Sequence, residues 1–389
     1  MTMFNSGKLI KNIDWVFVAM IFATLAINLI ILSSASANVV DGDPFYHVKK
    51  QLLWIGVGTV VFFMVALFNY DNFKKLDIFI YGLTILLLIT VLFAPEQKGA
   101  HRWFDLGFMD FQPSELAKIA MIVVFGCFLA KNQGRMHQPR KLIAGALLML
   151  FPIFLIIAEP DLGTSLVFVA IILSMALIGG VPKKTLLVIV LIIAVMVVMI
   201  FAVLYFYTDG YQFKLEESPA FLPLKPYQLT RLIIFINPYM DPLDTGYHMI
   251  QSEVAIGSGG FLGKGFGNGT QVQGNFLPEH HTDFIFSVVG EEFGFLGALG
   301  ILMLYLVLLL RAISIANRAK DLLGSVIVGG VVGMFAFQIF VNVGMTIGIM
   351  PVTGVPLPLL SYGGSSMLIN MAALGLILSV GMRSNVKMF

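Results

Sequence analysis

The chain has 389 residues, of which 58% are hydrophobic and only 12% charged, with 34 Phe, 38 Gly and 21 Met. Soluble domains carry about 25% charged residues, so a water-soluble globule is excluded and a polytopic membrane protein is indicated. The net charge of +2 decides little, because in a membrane protein the placement of charge outweighs its sum; the single cysteine, Cys127, excludes an intrachain disulfide and a cysteine-based zinc site.

In chain order, ten apolar runs are long enough to span lipid: about 15–36, 51–69, 75–94, 114–130, 142–158, 163–181, 186–207, 284–310, 323–348 and 366–382. The first is a span that stays in place, and no cleavable leader precedes it. The expected fold is an all-α polytopic membrane protein of about ten transmembrane helices, forming one membrane domain over 1–389. Most connections are short. The exception, 208–283, reads as a large extracytoplasmic loop carrying short interfacial helices.

Lys and Arg set the orientation. With the N-terminus in the cytoplasm, the inner segments hold Lys8 and Lys11; Lys74 and Lys75; Lys131, Arg135, Arg140 and Lys141; Lys183 and Lys184; Arg311, Arg318 and Lys320; Arg383 and Lys387, which is 15 of the 24 basic residues. Every inner loop is basic, and an even number of spans returns the C-terminus to the cytoplasm. Acids show the opposite trend. Only Asp14, Asp71, Asp77 and Asp321 lie inside, whereas Asp105, Asp110, Glu159, Asp161, Asp241, Asp244, Glu253, Glu279 and Asp283 lie outside. Acids contribute little to topology, so this bias points to polar chemistry on the outer face.

Four outer stretches could carry it. In "HRWFDLGFMDFQPSELAK" (101–118), Gln112-Pro113-Ser114-Glu115 reads as a helix start. Glu115 and Lys118 are three apart on one helix face and can pair, which suggests a watery or ligand-filled cavity. "AEPDLGTS" (158–165) places Glu159 and Asp161 near the membrane surface, with Asp161 a candidate cap for the next helix. In the long loop, "RLIIFINPYMDPLDTGYH" (231–248) suggests an interfacial helix with Arg231 at headgroup level. Glycines 257, 259, 260, 263, 265, 267 and 269 follow, whose amides could cradle phosphate, although they match no nucleotide-binding fingerprint. "MPVTGVPLPLLSYGGSS" (350–366) breaks any helix with three prolines and paired glycines. Irregular backbone at this depth is tolerated only beside protein or a watery cavity. In "LPEHHTDFIF" (277–286), Asp283 reads either as an acid at the start of the following helix or as a general base at a cavity mouth. His280 and His281 are adjacent, so their side chains diverge; a His/Asp metal site there would not be distinctive.

Taken together, "RWFDLGFMDFQPSELAK", "EPDLGTS", "NPYMDPLDTGYHMIQSEVAIGSGGFLGKGFGNGTQ", "LPEHHTDFIFSVVGEEFGFLG" and "PVTGVPLPLLSYGGSS" resemble the SEDS family of shape, elongation, division and sporulation proteins. They follow the family's order along the whole chain. The short N-terminus and "HTDFIFSVVGEEFGF" are nearer the elongation members than the division members. The resemblance implies a peptidoglycan glycosyltransferase of the bacterial cytoplasmic membrane. It would polymerise lipid II on the outer face and release undecaprenyl pyrophosphate. It also implies a divalent cation, Mg²⁺ or Mn²⁺, and a class B penicillin-binding protein as transpeptidase partner; no nucleic acid is expected. Carried over by position, Asp283 matches the family's essential acid, and Glu115 and Lys118 its functional pair. Arg102, Glu159, Asp161 and Ser361 fall in family motifs, and His280 and His281 could shape the site or touch metal or phosphate, with a metal possibly held through Asp283. "TRLIIFINP" has one basic residue, Arg231, where many relatives have two or three, which weakens the case for a pyrophosphate clamp there. The rival expectations are a lipid II flippase and a scaffold without chemistry of its own.

Overall fold

The structure is a computed structural model that describes residues 12–36, 43–95, 101–105, 107, 109–208, 226–241, 245–274 and 276–384. Lys8, Lys11, Asp244, Lys387 and the stretch 209–225 of the long loop lie outside the described residues. The helices are α1 (Trp15–Ala35), α2 (Tyr46–Leu67), α3 (Phe73–Val91), α4 (Pro113–Lys131), α5 (Pro139–Ala158), α6 (Leu162–Ile178), α7 (Lys183–Thr208), α8 (Pro226–Ile236), α9 (Thr245–Gly259), α10 (Thr270–Gln273), α11 (Ile285–Asn317), α12 (Leu322–Thr346) and α13 (Gly364–Met382). The described residues include eight helices long and apolar enough to cross a membrane. The 17-residue α6 and α3, whose start carries Lys74, Lys75 and Asp77, bring the spans to the ten that the apolar runs predict. The loop between α7 and α11 carries the three short helices α8, α9 and α10.

Local chemistry explains the helix starts. Asp14 accepts from Phe17 N, Asp161 from Thr164 N and Asp321 from Gly324 N, so three acids cap α1, α6 and α12. Proline opens α4 and α5, where its missing N–H costs nothing. The helix at "QPSE" starts at Pro113, so Ser114 lies in its first turn rather than before it.

The spans differ in what surrounds them. In their apolar windows α4 is 78% buried and α13 83%, whereas α7 is 6% buried and so faces lipid almost all round. Helix α13 packs on α2, and α12 packs on α6, α11 and α4. Buried amides sit inside this bundle. Gln51 Nε2 on α2 donates to Asn28 Oδ1 on α1 at 3.3 Å, and Asn28 Nδ2 donates to the Leu360 carbonyl. Away from water such groups need each other, and they tie helices at fixed points.

On the face that Lys and Arg assign to the cytoplasm, each described acid is paired. Asp71 binds Lys74 (3.0 Å) and Lys320; Asp321 binds Lys74 (3.1 Å) and accepts from Tyr70 Oη (3.0 Å); Asp77 binds Lys131, and Asp14 lies 3.9 Å from Arg318. Asp14, Asp71 and Asp321 thereby tie the first three helices to the α11–α12 turn, and Asp77 ties α3 to the end of α4.

Helix α11 is broken at Gly294, which has φ 63° and ψ −161°. The carbonyls freed by the break find donors in the glycine-rich loop: Lys264 N binds Glu291 O at 3.0 Å and Gly265 N binds Glu292 O at 2.9 Å. The loop lies so close that a Cβ at Gly259 would come within 2.0 Å of the Gly290 carbonyl oxygen. Backbone packing thus accounts for this glycine, and none of the glycines from 257 to 269 is in the lining of the cavity described below.

Burial pushes the Asp71 carboxyl up, but its bonds to Lys320 and Lys74 outweigh that and hold it below the usual range. A depressed carboxyl contributes stability above its unfolded pKa and loses it as pH falls through the folded value. Asp71→Asn is expected to lower the melting temperature in detergent at neutral pH and to flatten the acid limb of the stability profile below about pH 4, as measured by thermal unfolding across pH.

Candidate active site

A cavity of about 820 Å³ opens at the end of the bundle opposite the basic loops. Five groups of residues wall it. The first is a two-stranded ribbon, β1 (Phe104–Asp105) and β2 (Asp110–Phe111), with Asp105 opposite Asp110. It carries Arg102, Trp103, Asp105 and Asp110 to the rim and leads into α4, which adds Gln112, Glu115 and Lys118. The second wall is Asp161 and Thr164 at the start of α6. The third is Arg231 and His248 on the loop helices α8 and α9. The fourth is the pair of irregular segments 279–284 and 352–363 with the first residues of α13, and the fifth is Lys50 and Trp54 on α2.

Asp283 lines this cavity, partly exposed. It does not cap a helix: α11 begins at Ile285, its N-cap is Phe284, and no side chain caps it. The segment around Asp283 is held by its backbone. Tyr362 N donates to His281 O (3.0 Å), Ser361 Oγ to Thr282 O (2.7 Å) and Asn342 Nδ2 to Asp283 O (2.9 Å). The same Asn342 nitrogen donates to Val355 O at 2.9 Å. Three consecutive carbonyls are therefore gripped from α12 and from the segment after it. Gly354, at φ +72°, completes the arrangement. A Cβ there would lie 3.4 Å from Asp283 Oδ2 and 3.5 Å from Arg231 Nη1, so carboxylate and guanidinium converge on its bare face. Arg231 Nη1 is anchored by Val352 O at 3.1 Å.

Glu115 and Lys118 form the pair their spacing predicts, with Lys118 Nζ 2.6 Å from Glu115 Oε1. They are 4% and 1% exposed, and Glu115 Oε2 has no hydrogen-bond partner among the described residues. A buried ion pair is costly to desolvate and is seldom kept for stability alone.

Other candidates sit differently. Arg102 lines the cavity while its Nε donates to Glu159 O (2.9 Å) and its Nη2 to Pro160 O. Glu159 itself lies behind the wall. It is 0% exposed and neither carboxyl oxygen has a partner among the described residues. Burial, reinforced by the nearby Asp161 and opposed by Arg102, pushes its carboxyl up to about 9. Its contribution to the wall is thus its backbone carbonyl. Ser361 lies outside the lining and acts on the loop. The two histidines diverge as adjacency requires: His281 lines the cavity, whereas both His280 ring nitrogens meet backbone carbonyls, of Leu277 and of Ala35 (2.6 Å for the latter). His280 is an internal brace, with no nitrogen left for metal or phosphate.

Sequence reading passed over Gln112 and Asn342 as candidates in their own right, and over Lys50, Trp54, His248 and Tyr362. For Asn342 a signal existed, since an amide within an apolar span is costly unless it finds a partner. Lys50 and Trp54 sit on α2, whose role at the cavity depends on how it packs on α13.

The match to known proteins covers the whole bundle. The family model described as cell cycle protein, FtsW/RodA/SpoVE, matches residues 13–386. The peptidoglycan glycosyltransferase RodA of Treponema pallidum is 35% identical, over 96% of this chain and 98% of that one. Among solved structures, a chain of a peptidoglycan synthase complex that coordinates polymerization and crosslinking superposes with a TM-score of 0.76, 33% identity and coverage of 95% and 97%. The rod shape determining protein RodA of Thermus thermophilus gives 0.68, 30%, 96% and 98%.

Two measurements test the geometry. Asn342→Leu leaves the buried carbonyls of Asp283 and Val355 without this donor, and is expected to cost about 1–3 kcal/mol for each, read by thermal unfolding. Glu159 has its folded pKa raised, so the wild type loses stability as pH rises from the ordinary carboxyl range toward 9. Glu159→Gln is expected to match wild type near pH 5 and to be the more stable protein at pH 8.

Proposed function

We infer the chemistry of this site from one premise: the chain belongs to the family of cell cycle proteins that unites FtsW, RodA and SpoVE. It is a multi-pass membrane glycosyltransferase of peptidoglycan synthesis, and its activity fits polymerisation of glycan strands for cell elongation. The substrate is lipid II, with undecaprenyl pyrophosphate as the released product. The protein works in the bacterial cytoplasmic membrane with the cavity facing outward, beside a class B penicillin-binding protein that crosslinks the strands. The basic inner loops and the position of the cavity among the outer segments support that orientation.

The observation that carries the mechanism is the convergence of Asp283 and Arg231 on the bare face of Gly354, within a cavity also reached by Lys118 and Arg102. Asp283 is the general base. It takes the proton from the 4-hydroxyl of the acceptor GlcNAc while that oxygen bonds to C1 of the donor MurNAc. The bond from C1 to the diphosphate oxygen breaks, C1 inverts, and the electron pair leaves on undecaprenyl pyrophosphate. A diphosphate is already a good leaving group, so no carboxylic acid is required opposite the base, in contrast to glycoside hydrolysis. The cations Arg231, Lys118 and Arg102 oppose the charge that develops on it. The carbonyl grip on residues 281–283 keeps the base from drifting, which matters because a misplacement of about 1 Å can cost a hundredfold in rate.

Among the described residues no three His, Cys, Asp or Glu side chains gather to hold a metal. Mg²⁺ or Mn²⁺ would instead be held by one oxygen of the Asp283 carboxylate together with the substrate's own phosphates, in the usual mode for magnesium, and the other carboxylate oxygen would remain the base. Such an ion would supply positive charge to the diphosphate.

Asp283→Ala is expected to abolish polymer formation from purified lipid II, a loss of at least about a hundredfold, while thermal stability and partner binding persist. Polymer made at the wild-type rate by this variant would sink the assignment. Polymer formed by the wild type in detergent, with no membrane to cross, separates the enzyme from the rival flippase and scaffold.

A further inference from the structure

Gln112 stands on the cavity wall just before α4, 8% exposed, and its amide is oriented by its neighbours. Nε2 donates to Asp161 Oδ2 at 2.9 Å and to Ser114 Oγ at 3.0 Å. An ionised carboxylate only accepts, so the nitrogen end of the amide must face Asp161, and both N–H groups are consumed. Asp161 is fixed in turn, its Oδ1 accepting from Thr164 N (3.0 Å) and its Oδ2 from Thr164 Oγ1 (2.9 Å). What remains of the amide is its carbonyl oxygen. No described residue donates to Gln112 Oε1, and it is not among the buried polar atoms left without a partner, so it keeps open surface on the cavity side. Among the acids and cations of this wall it is a neutral acceptor whose direction is set in advance.

We propose that Gln112 is a specificity-determining residue whose Oε1 accepts a hydrogen bond from a neutral donor on the substrate's sugar, an acetamido N–H or a hydroxyl, and that Asp161 is the positioning residue that aims it. The proposal rests on the polymerase reading above. Ionised diphosphate oxygens only accept, so they are not partners for Oε1. Gln112 is therefore a contact for the sugar and not for the diphosphate, whose charge falls to the cations of the wall.

The test is steady-state polymerisation of lipid II by the full chain with its transpeptidase partner, comparing wild type, Gln112→Met, Asp161→Asn and the double variant. Asparagine still caps α6, but with its oxygen on Thr164 N it turns an NH₂ toward Gln112. The glutamine amide then flips and presents donors to the cavity. Each single variant is expected to lose roughly ten- to a hundredfold in kcat/KM, mostly through KM, with unchanged thermal unfolding. The double variant should be no worse than Gln112→Met alone, because Asp161 acts through the amide. Wild-type kcat/KM in Gln112→Met, or full additivity of the two losses, would overturn the proposal. A lipid II analogue with ester oxygen in place of the sugar acetamido N–H identifies the donor. Wild-type preference for native lipid II that collapses in Gln112→Met assigns the N–H; an equal loss on both substrates assigns a hydroxyl. Failure of the wild type to polymerise lipid II at all would instead overturn the polymerase reading.

Discussion

The carbonyls of His281, Thr282 and Asp283 are each held by a donor from residues 342–362, and the cavity depends on that grip. Backbone that is neither helix nor sheet cannot lie open to lipid, since each unsatisfied polar group there costs several kcal/mol. Two irregular segments solve the problem jointly here. The turn before α11 supplies acceptors, and α12 with the segment after it supplies donors. Asn28 and Gln51 extend the same solution, binding Leu360 O and Gly363 N from the opposite side. A non-helical wall is thereby made stable at the outer end of a helical bundle, and a wall of this kind can aim a carboxylate into a cavity.

Within that wall, charges of opposite sign are kept close and largely dry. Lys118 and Glu115 pair on one helix face, and Arg102 donates to two backbone carbonyls. Groups held in this way need little rearrangement when a charged substrate arrives, which is the physical basis of electrostatic preorganisation. The glycine-rich loop serves the same end from a distance. It fills the break in α11 at Gly294 and so fixes the helix that follows Asp283.

Much of this could be read locally. The ten spans followed from run length, the Glu115–Lys118 pair from i,i+3 spacing, the Asp161 cap from its place before α6, and the divergence of His280 and His281 from adjacency. The glycine run misled, because a dense set of glycines signals close backbone approach without saying what approaches. In this fold α11 is what approaches Gly259 and Gly263. Glu159 and Ser361 were grouped with cavity residues because they share short motifs with them. A turn of one or two residues is enough to send one side chain into the wall and the next into the opening.

The sequence by itself determined the solvent of this protein, the number of its spans and the opposite ends at which its basic loops and its acids gather. Those properties depend on composition and on periodicity within single segments. Tertiary structure alone decided which polar residues share a cavity. It brought Arg231, Asp283 and Gly354 together from three segments, turned His280 inward to carbonyls, and gave Gln112 an amide with one end spent and the other open. Such relations depend on the packing of helices far apart in the chain, where a rotation of one helix by a single residue exchanges the buried face for the open one.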